Sequence, residues 1–175
     1  MKKTSITLLT TSAFAFCAAL LLASNGIAAE KDTLNAADVK FIKQETAAGM
    51  AVVKTAGLGA RKTSREDIKA FAQMLVTDHT AANDQLSKLA TTKGVETSTV
   101  IDPKDAEIYQ TLEKYSGTEF DKAFLAQVIR GHEKCVSQFE EASNDAKDSD
   151  LKTWVTEMLP ALKNHLGKAR ELSAR

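Results

Sequence analysis

The sequence predicts an all-α protein, a four-helix bundle with a short extra helix between the second and third long helices. Three observations predict it. Apolar residues recur at three- and four-residue spacing through four long segments, which is the periodicity of a helix with one buried face. Alanine, leucine, lysine and glutamate are abundant while alternating, strand-like stretches are scarce. Proline occurs only at Pro103 and Pro160, so long stretches run without a breaker.

The chain opens with Lys2 and Lys3, continues through an apolar stretch from Leu8 to Leu22 and reaches small residues at Ala28 and Ala29. That is the layout of a secretory signal peptide, so residues 1–29 are set aside as a leader and residues 30–175 as one bundle domain. The expected location is periplasmic. Cys17 is not read as a lipid anchor, because Phe16 precedes it and the apolar run continues past it. No later stretch is apolar for long enough to span a bilayer. Without Lys2 and Lys3, 21 of the 23 basic residues face 23 acidic ones, a net charge of about −2. Such a balance carries no footprint of nucleic-acid or anionic-membrane binding. Cys135 alone remains after cleavage, so no internal disulfide holds the fold.

The first long segment begins near Ala36, carries Phe41, Glu45, Ala48, Val52 and Val53 at helical spacing, and is expected to stop around Gly57 and Gly59. The second starts at Ser64, where Ser64-Arg65-Glu66-Asp67 resembles a capping box, and shows Ile68, Phe71, Ala72, Leu75, Val76, Ala82, Leu86 and Leu89 on one stripe before Gly94. A Thr/Ser-rich turn then leads to Pro103 at the start of a short amphipathic helix with Ile108, Leu112 and Tyr115. From about Thr118 to Asn144 the third long helix presents Phe120, Phe124, Val128, Val136 and Phe139. The fourth, from Asp150 to about Leu172, presents Leu151, Trp154, Val155, Met158, Leu162, Leu166 and Ala169, with a kink expected at Pro160.

All three histidines lie on apolar stripes, each on a different helix: His79, His132 and His165. Glu45 lies on the stripe of the remaining one. At about 1.5 Å per residue, Glu45 is roughly 22 Å from the end of its helix and His79 roughly 22 Å from the start of the next, so a short loop brings them level. His132 and His165 are roughly 21 and 22 Å from the starts of theirs. The four groups are therefore expected in one layer at the bundle centre, where helical bundles build metal sites. One transition metal ion held by His79, His132, His165 and Glu45 is the chemistry this pattern supports, with zinc, copper, nickel and iron all compatible. The competing reading is a metal-free buried network in which Glu45 accepts from His79 or His132. In that case the protein is a non-catalytic envelope component that binds a protein partner, or a second copy of itself, through an exposed groove or the segment after the second helix.

Cys135, three residues after His132, is read as a small hydrophobe, and Met50, Met74 and Met158 as core filling. A Gly-rich phosphate loop and a Gly-x-Ser-x-Gly elbow are both lacking, and a Cys/His pair on one helix face without an orienting third group is a weak nucleophile.

The segments MLVTDHTAAN (Met74 to Asn83), GTEFDKAFLAQVIRGHEK (Gly117 to Lys134) and LPALKNHLGKARELS (Leu159 to Ser173) resemble the exported bacterial family known as domain of unknown function 4142 (DUF4142), which is placed among the ferritin-like folds. The similarity runs from about Ala37 to Leu172, and His79, His132 and His165 match the family's histidines. What the resemblance implies is a ferritin-like four-helix bundle. Ferritin-like di-iron enzymes carry Glu-x-x-His on each of two helices. This chain has no Glu-x-x-His, so a two-metal, oxygen-activating centre is not expected; the resemblance implies no activity, and metal handling or protection against oxidative or envelope stress is the role expected from the single histidine-rich site.

Overall fold

The computed structural model describes residues 34–175, and the leader expected at 1–29 lies outside them. Five helices are present among these residues: α1 (Ala36–Lys62), α2 (Glu66–Thr92), α3 (Pro103–Lys114), α4 (Gly117–Asp145) and α5 (Ser149–Ser173). No strand occurs among the described residues, and none of the helices is long and apolar enough to cross a membrane.

Local chemistry accounts for the ends. Asn35 caps α1 through a reciprocal pair: its Oδ1 accepts from the Asp38 amide at 2.8 Å, and Asp38 accepts from the Asn35 amide at 3.2 Å. Asp38 also accepts from the amides of Lys147 and Asp148, at 3.3 and 3.2 Å, which ties the start of α1 to the α4–α5 turn. Gly94, with φ of 71°, ends α2: the Val95 amide reaches back to the Ala90 carbonyl at 2.8 Å, a closure that favours a residue without Cβ. Asp102 caps α3 by accepting from the Lys104 amide, and Pro103 takes the first helical position as expected.

Three expectations need correction. The first helix passes through Gly57 and Gly59 and continues to Lys62. Gly59 is there for packing, since a Cβ on it would lie 2.5 Å from Cζ of the fully buried Phe124. Ser64 does not cap the second helix. The turn is held instead by Thr63 Oγ1, which accepts from the Arg65 amide at 3.1 Å, and by Asp67, which accepts from the Ile68 amide at 2.9 Å. On α1 the most buried apolar side chain is Ile42, one position round from the Phe41 stripe read in the sequence. The last helix, meanwhile, stays helical on both sides of the exposed Pro160.

α1 packs along α2, α4 along α5, α2 against α5 and α1 against α4, while α3 rests on α1 and α4. Two apolar clusters fix the directions. One joins Ala56 and Leu58 at the end of α1, Ile68 and Phe71 at the start of α2, Phe120 and Phe124 at the start of α4, and Ala169 and Leu172 at the end of α5. The other joins Ile42, Leu86, Phe139, Leu151 and Val155 from the opposite ends. α2 therefore finishes at the far end from where α4 begins, and the connector with α3 must return along the bundle. Every neighbouring pair of long helices is antiparallel, with a single long crossover, which is the ferritin-like arrangement. Between the two clusters lies a layer that neither occupies.

Candidate metal centre

That layer holds the histidines. His79 from α2, His132 from α4 and His165 from α5 meet with ring centroids 5.4 to 5.5 Å apart. They are 9%, 3% and 2% exposed. One nitrogen from each ring lies within 4.8 Å of the others, close enough for the three to hold a single ion. The tightest approach is Nε2 of His79 to Nε2 of His132, 3.4 Å. Two imidazole nitrogens on one tetrahedral zinc, each about 2.05 Å from the metal, stand roughly 3.3 Å apart.

The outer nitrogens show which lone pairs are free. His132 Nδ1 is 2.9 Å from the Val128 carbonyl, which can only accept, so Nδ1 carries the proton and Nε2 turns a lone pair toward His79. His165 Nε2 is 2.9 Å from the Asp78 carboxylate and donates to it. This leaves Nδ1 of His165 buried and without a partner. An imidazole whose second nitrogen donates to a carbonyl or a carboxylate is the arrangement that fixes a metal-ligating ring in tautomer and direction. Burial drives the pKa of His79 down to about 3, helped by His132 and His165, and that of His132 to about 4, against the hydrogen bond to Val128. Both rings are therefore neutral, the form that binds metal.

Glu45 is not drawn into this group. It is 8% exposed and lies along the same cavity, where Cys135 donates a thiol hydrogen bond to its Oε2 at 3.9 Å. Burial raises its pKa to about 7, only partly opposed by Lys134. The displacement has a simple cause. α1 runs three to five residues past the expected stop at Gly57 and Gly59 and α2 starts two residues after Ser64, so the level of His79 moves by more than one turn along α1, away from Glu45. Gly49 faces α2 at Asn83, one turn past His79, where a Cβ on it would lie 1.9 Å from Asn83 Oδ1. Cys135 is held well above the ordinary thiol range by burial and by the neighbouring carboxylate, which leaves it protonated.

Two participants escaped the sequence reading. Asp78 precedes His79 and so points about 100° away from it, off the apolar stripe and toward the neighbouring helix; the pairing with His165 depends on α2 and α5 being adjacent, which no local pattern reveals. The Val128 carbonyl is one turn before His132, and the imidazole turns back to it.

A cavity of about 210 Å³ opens beside the triad, lined by Glu45, Cys135, Trp154 and the three imidazoles among mostly small apolar side chains. Fold and site together define a four-helix bundle with a histidine cluster in its core. The chain belongs to the family described as Domain of unknown function (DUF4142), whose model matches residues 23–172. A crystal structure of a DUF305 fragment from Deinococcus radiodurans shares the fold, with a TM-score of 0.73 at 11% identity over 82% of this chain and 99% of that one. No curated protein matches the chain.

Proposed function

We propose that this protein binds one transition metal ion in the bundle core through His79, His132 and His165, and serves metal handling or protection against oxidative stress in the periplasm. The observation that supports this most directly is the pairing of directed lone pairs with anchored outer nitrogens: two of the three rings have their far nitrogen fixed, by Val128 and Asp78, and the unpartnered Nδ1 of His165 is buried. A metal-free network would use these nitrogens on one another, and only one close pair, His79 with His132, exists to do so. Three neutral nitrogen donors suit zinc, copper, nickel or iron and leave a coordination position open toward the cavity. Glu45 lines that cavity outside the ligand set, hydrogen-bonded to Cys135.

The test is metal binding by equilibrium dialysis, with zinc and copper as probes, on the intact protein and on His79→Ala, His132→Ala and His165→Ala. One ion per chain is expected, with each substitution weakening binding at least a hundredfold. Asp78→Asn should weaken it by about ten- to a hundredfold, because an outer partner orients its ligand. Histidine variants that lose stability but bind no less metal, or an intact protein that binds none, would establish the purely structural network instead.

A further inference from the structure

The three imidazoles are 9%, 3% and 2% exposed, so anything that reaches their inner nitrogens must pass a wall that gives way. α1 and α4 approach each other far less than the two helices of either hairpin do. Between them the cavity comes to the surface at the exposed Gly131 and Lys134, facing the small, half-buried Ala48 and Val52 of α1. A Cβ on Gly131 would meet nothing within 4 Å. One short helix lies against this gap: α3 rests on α1 and α4 and adds Asp105 and Ile108 to the cavity wall.

The five helices are not held equally. α1, α2, α4 and α5 each place buried residues in both apolar clusters, whereas α3 reaches only one of them, through Leu112. The other ties of α3 also fall in its second half: Tyr109 accepts from Arg61 at 3.4 Å and lies 4.6 Å from the Lys54 ammonium, and the Glu113 carbonyl accepts from Lys62 at 2.5 Å. In the first half of α3, and in residues 96–102 before it, nothing is buried. Asp105 there faces Lys134, which opposes the upward push of burial and Asp102 on its carboxyl, but Lys134 is shared with Glu45 on α1. A segment with so few buried contacts opens without unfolding the rest. We propose that the first half of α3 is a lid on the cavity, moving about its anchored second half to admit and release what reaches the histidines. For the ion itself, this rests on the metal-binding reading above.

Stopped-flow absorption on the full protein follows cobalt(II) uptake and its release to excess chelator. The double variant Asp105→Asn/Ile108→Ala, which loosens the lid, should speed both about tenfold and leave the dissociation constant within about twofold, because a lid sets the rate of passage and not the ligands. Gly131→Leu puts a side chain into the open space at the mouth and should slow both rates by a common factor. Glu107→Gln, on the exposed face of α3, should change neither. Rates unaltered by the double variant, or release altered without uptake, would overturn the lid and leave the metal reading standing. A chain that retains no cobalt would sink the metal reading alone, and amide hydrogen exchange then decides the lid. In the double variant the amides of Ala106, Glu107 and Ile108 should exchange about tenfold faster while those of Leu112 and Glu113 keep their rates; equal acceleration along the whole of α3, or none, would overturn it.

Discussion

Asp78 and His79 are neighbours in the chain and serve different rings: one fixes His165, and the other offers its own nitrogen to the cluster. The residue types at the centre were legible in the sequence because each histidine interrupts an apolar stripe on a separate helix. The division of labour was not, because it depends on which helices are neighbours. Glu45 is the clearest titrating group here. Its carboxyl prefers to be protonated in the folded chain, with a pKa of about 7 against 4.5 when exposed, so its contribution is fully present below pH 4.5 and is lost as the pH rises through 7. The penalty at pH 8 is on the order of 3 kcal/mol. Glu45→Gln should therefore stabilise the metal-free protein by about 2–3 kcal/mol at pH 8 and hardly at all at pH 4.5, as read by urea unfolding at the two values. His79 and His132 act in the opposite sense. Folded values near 3 and 4 lie below the ordinary 6.5, so the unfolded chain takes up their protons first and stability falls as the pH drops below 6.5.

At the scale of the element, the helices were legible and their boundaries were not. Gly57 and Gly59 looked alike as stop signals, yet α1 runs through both, and only the packing tells them apart. A methyl group on Gly59 meets the immobile ring of Phe124, whereas one on Gly57 meets only the tip of Arg61 at 3.4 Å. Gly59→Ala is expected to cost about 1–3 kcal/mol by overpacking. Gly57→Ala should gain up to about 1 kcal/mol, because alanine loses less freedom than glycine on entering a helix. Thermal unfolding of the two variants side by side checks both signs. The same boundary shift took Glu45 out of the histidine group, so a few residues at the helix ends altered the expected ligand set. A second tie acts on the α4–α5 turn: Lys93 pairs with the fully buried Asp148 at 2.6 Å and with Asp150 at 2.7 Å. Lys93→Met strands the Asp148 charge and should destabilise the bundle by about 3–5 kcal/mol, an outcome that denaturant titration would register as a lower midpoint at unchanged slope.

In the whole molecule, a polar layer separates two apolar clusters, and each of three helices from both hairpins places one imidazole in it. An ion bound there links α2, α4 and α5 in the folded chain and has no preformed site in the unfolded one. Free metal at about a thousand times its dissociation constant should then add about 4 kcal/mol, raising the melting temperature by about 10 °C for a chain of this size. The central claim is the ligand set itself. X-ray absorption at the metal edge of the zinc-loaded protein tests it most directly: three imidazole nitrogens at about 2.0–2.1 Å with their outer-ring scattering are predicted, and a shell of oxygen without imidazole, or zinc that washes away, would contradict it.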